Sequence, residues 1–448
     1  MMREGAPKTI YRKDYTEPDF LISHVELAFE IADGSTRVTS SLRIQRNGTH
    51  ERPLVLDGEG LGLISVSVDG EKLDEGVFNY VGGKLTVDAV PDDFEFGAVV
   101  DIQPETNTSL EGLYRSRTMY CTQCEAEGYR KITFGLDRPD VLSTYTVTLS
   151  ADKASCPVLL SNGNEVSRTD LADGRHQVVW HDPHPKPSYL FAIVAGDLEL
   201  VSDIFTTQSG KVVDLRIWVE AKDTGYCDHA MDSLKASMRW DEERYGLEYD
   251  LDLFNIVAVD DFNMGAMENK SLNIFNTSCV LAHPDITTDL GYQRVESVVA
   301  HEYFHNYSGN RVTCRDWFQL SLKEGFTVFR DAEFSADMNS RGVKRIEDVS
   351  FLQTHQFAED SGPMAHPVRP DSFIEISNFY TMTVYEKGAE VVRMLNTLLG
   401  DDAFYAGAKL YFDRFDGMAV TCDDFVDAMQ EASGKDLSQF RRWYEQAG

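Results

Sequence analysis

Short runs in the first 200 residues place apolar side chains at every second position. The clearest are Val25, Leu27, Phe29 and Ile31 and, beyond the pair Asp33-Gly34, Val38, Leu42 and Ile44. Alternation of this kind predicts strands with one buried face, and an Asp-Gly pair between two such runs indicates a hairpin. Many short strands separated by turn residues are typical of a sandwich. We therefore predict an antiparallel β-sandwich domain for residues 1–197.

The pattern changes to helical spacing after about residue 220. Met231, Leu234 and Met238 predict a helix that Gly246 ends, and Val391, Leu395 and Leu398 predict another that ends at Gly400. Apolar residues three and four positions apart share one face of a helix. Between these helices, the apolar run 253–259 has the length of a buried strand. We therefore predict an α+β multidomain protein whose second domain spans residues 198–448.

The excess of acidic side chains limits the classes of partner that this chain is expected to bind. Its 448 residues carry 74 acidic and 42 basic side chains, a formal net charge of −32. Such a surface repels phosphate backbones and anionic lipid, so we expect neither nucleic acid nor a membrane as partner. It attracts cationic groups such as the α-ammonium of a peptide. A role of the acidic excess in solubility or salt tolerance is an equally good interpretation.

The N-terminal segment and the cysteines favour a cytoplasmic protein. The first fifteen residues contain no apolar stretch of the kind that a signal peptide needs, and no apolar run approaches the roughly 18 residues of a membrane span. Seven cysteines, an odd number, fit a reducing compartment better than a disulfide framework. Cys121 and Cys124 form a lone CxxC, which we interpret as two buried thiols rather than a redox or zinc site.

The strongest chemical signal is the HExxH sequence from His301 to His305. Two histidines at i and i+4 lie on one face of a helix, so both imidazoles can bind one zinc ion. Thr288 and Asp289 are placed to cap that helix. Glu302 lies between the histidines, where it can serve as the general base. Two core histidines without a metal are the alternative interpretation of the motif.

A catalytic zinc ion needs a third protein ligand and one open position. Glu324 is the candidate, because a carboxylate among the apolar residues of 321–329 is costly unless it is paired or binds a metal. We therefore predict one Zn²⁺ per chain, bound by His301, His305 and Glu324. Asp331, seven residues later on the same helix face, can orient a ligand histidine or can be an ordinary surface charge.

Three further segments extend the motif. They are Gly265-Ala266-Met267-Glu268-Asn269 (GAMEN), Tyr385-Glu386-Lys387-Gly388, and the segment 121–127 with the sequence CTQCEAE. Together with HExxH and a glutamate after eighteen intervening residues, they resemble the aminopeptidase N family of zinc metallopeptidases, the gluzincins, and within it the bacterial alanyl aminopeptidases most. The resemblance covers the whole chain as a β-domain followed by a thermolysin-like catalytic domain. Family members continue with a further β-domain and a helical domain.

The resemblance implies roles for several residues in or next to these segments. Glu268 and Glu125 would bind the free α-ammonium of a peptide, although Glu127 is a close neighbour of Glu125. The GAMEN backbone, from Gly265 and Ala266 through Met267 to Asn269, would pair with the substrate as a strand does. Tyr385 would donate its hydroxyl to the oxyanion of the tetrahedral intermediate. Gln123 and Met264 would line the pocket for the first side chain.

The resemblance also implies the activity, which is removal of N-terminal residues from peptides with broad preference for side chains like Ala, Leu and Arg. The full-length family member is expected to be a cytoplasmic monomer. One alternative is a weakly active or inactive fragment of that enzyme. Another is a relative of the leukotriene epoxide hydrolase, which carries GGMEN where this chain has GAMEN. A third is a binding module without catalysis, although this chain has every ligand and the base.

Overall fold

The computed structural model describes residues 8–448. Residues 1–7 belong to the segment for which the sequence predicts no signal peptide, and they lie outside the described residues. The chain divides into two compact units, residues 18–306 and residues 8–17 with 307–448. The predicted domain boundary near residue 197 falls inside the first unit and stays a prediction. From residue 8 onward, no helix has both the length and the apolar character needed to cross a bilayer.

The predicted first hairpin lies at the centre of an eight-stranded sheet in the unit 18–306. Phe20–Ala32 pairs antiparallel with Ser35–Arg46, and Gly34 turns the chain with φ +81°, a conformation that glycine adopts without steric cost. The alternating apolar side chains of both strands are buried, which confirms the predicted period of two. In spatial order the strands are Asn164–Asp170, Arg175–Lys186, Ser143–Asp152, Phe20–Ala32, Ser35–Arg46, Asp93–Ile102, Gly62–Val68 and Glu71–Lys72.

This sheet departs from the predicted antiparallel pattern at one pair of strands. Ser143–Asp152 runs parallel to Phe20–Ala32. A parallel neighbour requires a long crossover, and the chain between these strands builds two smaller sheets. They contain Leu54–Asp57, Lys84–Val87 and Phe78–Val81 in one sheet and Gly112–Ser116, Met119–Gln123, Ile193–Gly196 and Val158–Ser161 in the other, the last two strands coming from later in the chain. All five residues of Met119–Gln123 are buried.

A five-stranded mixed sheet follows within the same unit. Its order is Glu199–Thr206, Val212–Val219, Leu253–Val259, Leu272–Asn276 and Ala266–Met267. The predicted strand 253–259 is the central one, and all seven of its residues are buried. It is parallel to both neighbours. A strand buried on both faces reads as a continuous apolar run, which is why alternation is absent there.

Two helices complete the unit 18–306. The first, Asp228–Tyr245, buries the predicted Met231, Leu234 and Met238, and Gly246 ends it with φ +71°. The second, Asp289–Phe304, is called the His helix here. Thr288 caps it by accepting the Gly291 N–H at 3.2 Å, as predicted. Short 3-10 turns lie at Pro104–Thr106, Tyr129–Lys131, Ser188–Leu190, Ala221–Tyr226 and Thr277–Cys279.

The other unit, residues 8–17 with 307–448, is mainly helical. Its α-helices are Leu320–Met338, Arg341–Phe351, Phe357–Asp360, Gly388–Leu399, Asp401–Phe415, Cys422–Ser433 and Arg442–Glu445, with π-helical turns at Leu352–Gln356 and Thr383–Lys387 and 3-10 turns at Arg12–Asp14, Trp317–Gln319 and Ile376–Phe379. Two small sheets pair Ile10–Tyr11 with Ser372–Phe373 and Val312–Cys314 with Met418–Val420. The α+β class is thus confirmed.

One predicted helix stripe needs correction. In Gly388–Leu399, Val391 and Leu395 are buried as predicted, but Leu398 is 49% exposed and Leu399 is buried instead. The buried face therefore repeats every four residues through 391, 395 and 399. Gly400 ends the helix with φ +83°, as predicted.

Candidate active site

The two histidines of HExxH lie at the C-terminal end of the His helix. Their Nε2 atoms are 3.0 Å apart, and His305 is almost fully buried. Two ligands at the usual zinc–nitrogen distance in a tetrahedral site lie about 3.3 Å from each other. The spacing of the imidazoles therefore fits two ligands of one ion.

A carboxylate cluster surrounds this pair within the unit 18–306. Glu268, Glu302 and His305 each place a ligand atom within 4.8 Å of the others, and all three are at most 5% exposed. A carboxylate oxygen of Glu125 also lies within 4.8 Å of one of Glu268. Buried carboxylates are stabilised by a cation or by hydrogen-bond donors. The cluster is therefore suited to a metal ion, to an ammonium group, or to both.

The GAMEN segment forms the edge of the five-stranded sheet. Ala266–Met267 pairs with Leu272–Asn276 on one side and is the last strand in the order. The Gly265 carbonyl accepts the Asn276 N–H at 2.9 Å. An edge strand offers backbone groups to an extended peptide, so the segment has the form that pairing with a substrate requires.

The segment 121–127 approaches GAMEN from the four-stranded sheet. Gln123 Nε2 donates to Met267 Sδ at 3.8 Å and to the Glu125 carbonyl at 3.2 Å. Glu127 pairs with Arg130 at 3.4 Å, whereas Glu125 points to Glu268. The geometry therefore distinguishes the two neighbouring glutamates. Met264 is half-buried at the start of GAMEN.

Glu324 belongs to the other unit, on the helix Leu320–Met338. It is 2% exposed, and Lys323 Nζ lies 2.5 Å from its Oε1. Asp331, on the same helix, is 6% exposed, which excludes the interpretation of Asp331 as an ordinary surface charge. Both carboxylates are therefore buried in the folded chain.

Tyr385 lies in the π-helical turn Thr383–Lys387, called the tyrosine turn here, in the same unit as Glu324. The turn packs against the helix Leu320–Met338, because Ser321 Oγ donates to the Val384 carbonyl at 2.8 Å. Glu359 accepts the Thr383 N–H at 2.8 Å and its hydroxyl hydrogen bond at 2.5 Å. A π-helical turn leaves the regular ladder of helical hydrogen bonds and is frequent at functional sites.

The two cysteines of the CxxC sequence do not have the properties of catalytic or redox thiols. Cys121 and Cys124 are both free and buried, and burial raises the pKa of Cys121 to about 12. A thiol that stays protonated at neutral pH is a poor nucleophile and redox group. The interpretation of two buried thiols is confirmed.

Three residues next to the motifs had no predicted role. Lys270 follows GAMEN directly, Asn306 follows HExxH directly, and Ser321 precedes Glu324 by one turn. A lysine inside a segment that is otherwise apolar and amide-rich is the signal that could have identified Lys270. Asn306 and Ser321 carry no comparable signal in the sequence.

Two family models match this chain. The Peptidase M1 N-terminal domain matches residues 21–190, and the Peptidase family M1 domain matches residues 229–444. Together they cover the predicted strands and all the motif residues from Gln123 to Tyr385.

Relatives match along nearly the whole chain. Aminopeptidase N of Escherichia coli is 55% identical over 442 residues, which cover 99% of this chain and 51% of the relative. Aminopeptidase N of Caulobacter vibrioides is 55% identical over 447 residues, covering 100% of this chain and 52% of the relative. The crystal structure of Legionella pneumophila aminopeptidase A in complex with aspartic acid superposes with a TM-score of 0.93 at 35% identity, over 98% of this chain and 51% of that one. This chain spans about half the length of these relatives.

Proposed function

The chain belongs to peptidase family M1, and we propose that it carries the active site of a zinc-dependent aminopeptidase that releases N-terminal residues from peptides. The observation that carries the proposal is the buried cluster of Glu268, Glu302 and His305, whose ligand atoms lie within 4.8 Å of one another. An aminopeptidase needs a carboxylate for the substrate ammonium and another for proton transfer beside a metal ligand, and this cluster provides all three groups.

We propose His301, His305 and Glu324 as the ligands of one zinc ion per chain. Two imidazoles and one carboxylate form a known donor set for catalytic zinc, which keeps one position open. The Nε2 separation in the His helix and the burial of Glu324 support this assignment. The eighteen residues between HExxH and Glu324, a spacing that resembles the family's metal motif, support Glu324 as the third ligand. When bound, the ion lowers the pKa of a water molecule and polarises the scissile carbonyl.

Glu302 is proposed as the general base. Its neighbours in the sequence are a metal ligand and the buried Tyr303, and the side chain is 5% exposed. In this position Glu302 takes a proton from the attacking water and delivers it to the amine of the leaving peptide. A positioned carboxylate of this kind contributes about 10²–10⁴-fold to the rate.

Glu268 and Glu125 are proposed to bind the α-ammonium of the substrate. Their carboxylates lie close together in the unit 18–306, where two negative charges attract one cation strongly. The backbone of the GAMEN edge strand, with Gly265, Ala266, Met267 and Asn269, would then align the substrate backbone. Gln123 and Met264 would contact the first side chain and set its preference.

Tyr385 is proposed to donate its hydroxyl to the oxyanion that develops on the substrate carbonyl. A donor held in place before the reaction stabilises that charge without reorganisation. The hydrogen bonds of Thr383 and Val384 that fix the tyrosine turn support this role.

We further propose short peptides with a free N-terminus as substrates, and a cytoplasmic monomer as the form of the full-length protein. The net charge of −32 disfavours nucleic acid and anionic membranes as partners. It also favours a substrate with an N-terminal cation.

The decisive experiment measures hydrolysis of alanyl, leucyl, arginyl and glutamyl anilides, with and without a chelator. Activity that disappears on chelation and returns with zinc supports the metal assignment. N-acetylated anilides should be poor substrates, and equal rates on acetylated and free substrates would exclude an aminopeptidase. Turnover of an epoxide lipid in place of the anilides would favour the epoxide-hydrolase alternative.

A further inference from the structure

A buried lysine joins the two motif segments of the unit 18–306. Lys270, 1% exposed, directly follows GAMEN. Its Nζ donates to Asp250 Oδ1 and Oδ2 at 2.7 and 2.6 Å and to Asn306 Oδ1 at 2.7 Å. These contacts give the ammonium acceptors on two separate segments of the chain.

Asn306 closes this arrangement at the end of the His helix. It is 3% exposed, and its Nδ2 donates to Asp250 Oδ1 at 3.3 Å. Asn306 is bonded covalently to His305, a proposed zinc ligand. We call Lys270, Asp250 and Asn306 the lysine clamp, since they link the end of GAMEN to the end of the His helix.

The backbone of Lys270 is anchored independently of its side chain. Its carbonyl accepts Asn162 Nδ2 at 2.8 Å, and the next residue, Ser271, has φ +59°. The Ser271 hydroxyl accepts the Gly163 N–H at 2.7 Å. A residue other than glycine holds a positive φ only when its surroundings determine it, so the chain leaves GAMEN in one fixed direction.

An aminopeptidase must hold its ammonium-binding site at a fixed distance from the group that attacks the first carbonyl, because both substrate groups belong to the same residue. Glu268 precedes Lys270 by two residues, and Glu302 and His305 precede Asn306 within about one helical turn. The bridge from Lys270 to Asn306 therefore links a residue two positions after the proposed ammonium ligand Glu268 to the residue directly after the proposed zinc ligand His305.

We propose that the lysine clamp is a positioning device that sets the distance from Glu268 to the reacting carbonyl, and so makes the site select a free α-ammonium. This inference rests on the proposed function. The competing interpretation is an ordinary buried ion pair that stabilises the fold and nothing more.

Two variants interrupt the clamp in different ways. Lys270→Met with Asp250→Asn removes both charges together, because an unpaired buried carboxylate would destabilise the fold. Asn306→Ala keeps the ion pair and removes only the bridge to the His helix. The second variant keeps the inference testable where the first does not fold.

The chain contains a matched control pair. Lys186 and Asp182 are 1% and 0% exposed and 3.0 Å apart, so they are at least as buried as Lys270 and Asp250, which are 1% and 9% exposed. Both partners of this ion pair lie on one strand, Arg175–Lys186, so the pair itself does not join GAMEN to the His helix. The variant Lys186→Met with Asp182→Asn therefore removes a buried ion pair of the same residue types without removing any hydrogen bond of the clamp.

The probes are alanine hydroxamate and propionohydroxamate, which differ only in the α-amine. Both bind zinc through the hydroxamate, so the ratio of their dissociation constants, measured by calorimetry on zinc-loaded protein, reports the ammonium site alone. We expect the unmodified protein to prefer the amine-bearing probe. A misplacement of about 1 Å can cost about 10²-fold, so both clamp variants should lose at least about tenfold of that ratio, while the control pair keeps it.

Each outcome decides a different question. No preference in the unmodified protein would refute the proposed ammonium site itself. A preference that survives in both clamp variants would refute the clamp and leave the proposed function intact. Equal weakening of both probes, or loss of zinc in Asn306→Ala, would assign these residues a structural role and overturn the inference.

Discussion

The two regions that carry the motifs are held by different forces. In the unit 18–306, GAMEN and the His helix are joined by buried hydrogen bonds among Lys270, Asp250 and Asn306. In the other unit, the helix of Glu324 and the tyrosine turn are joined by one hydrogen bond, from Ser321 to the Val384 carbonyl, and by the close approach of Gly325 to Gly388, which directly follows the turn. The first joint depends on the direction of several hydrogen bonds, whereas the second depends mainly on how closely two backbone segments pack.

The glycine contact leaves no space for a methyl group. A Cβ added at Gly325 would lie 2.8 Å from the carbonyl carbon of Gly388, and a Cβ added at Gly388 would lie 2.2 Å from Ser321 Oγ. Gly325 directly follows Glu324, and Gly388 follows Tyr385 by three residues. The spacing of these two motif residues is therefore set by backbones in close approach.

The two joints are therefore sensitive to different substitutions. A joint made of directional hydrogen bonds tolerates small changes of volume but loses its geometry when a donor or acceptor is removed. A joint made of close packing tolerates polar changes at its rim, but a single added methyl group disrupts it. Substitutions can therefore disrupt either joint or remove a catalytic group that the joint holds.

The largest effect is expected from His301→Ala, which removes a proposed ligand from the first region. Two remaining ligands cannot complete a stable zinc site, so zinc content should fall together with anilide hydrolysis to background. Metal analysis after zinc reconstitution measures this. His355→Ala, a change at an exposed histidine, should alter neither. Full zinc occupancy in His301→Ala would show that this residue is not a ligand.

Glu302→Gln should keep zinc and fold but lower kcat by about 10²–10⁴-fold, because the amide cannot accept the proton. This variant tests proton transfer separately from zinc binding and folding in the unit 18–306. Zinc content and thermal unfolding are measured beside kcat, with the exposed Glu347→Gln as control. Near-normal turnover with bound zinc would contradict the role of Glu302 as base.

Tyr385→Phe removes one hydroxyl from the second region and should lower kcat by about 10²-fold while KM stays nearly constant. A donor used mainly in the transition state has this signature. Steady-state kinetics on alanyl anilide tests it. A rise in KM with unchanged kcat would indicate that the hydroxyl binds the ground state instead.

Local signals in the sequence predict much of this structure. Thr288 caps the His helix, Gly246 ends the preceding helix, and the apolar run 253–259 forms a buried strand. Each of these features depends on residues within a few positions of one another. The HExxH pair belongs to the same class, since the helix alone places the two imidazoles side by side.

Features that depend on distant segments could not be predicted in this way. The parallel pairing of Ser143–Asp152 with Phe20–Ala32 follows from a crossover through two other sheets. The π-helical form of the tyrosine turn depends on Ser321 and Glu359, and the exposure of Leu398 depends on which face its helix buries. The role of Lys270 emerges only when Asp250 and Asn306 are seen to converge on it.

Gly388→Ala should break the second joint by volume. The added methyl group would collide with Ser321 Oγ, so we expect a loss of about 1–3 kcal/mol in the free energy of unfolding and, through displacement of Tyr385, a lower kcat. Denaturant unfolding and kinetics measure both. Gly342→Ala is the matched control, because a Cβ at that helical glycine meets nothing within 4 Å and should be neutral or slightly stabilising. Equal stability of the two variants would show that the close approach is not restrictive.

The smallest effect is expected from Ser321→Ala, which removes the hydrogen bond to the Val384 carbonyl at a cost of about 1 kcal/mol. The same change removes the oxygen that an alanine at position 388 would meet. Ser321→Ala with Gly388→Ala should therefore be less destabilised than the sum of the single variants, with a coupling of about 0.5–3 kcal/mol for groups in contact. A double-mutant cycle of unfolding free energies measures that coupling. Additive effects would mean that Ser321 supports the tyrosine turn only through its hydrogen bond, and that the volume of the second joint is limited by the backbone of Gly325 alone.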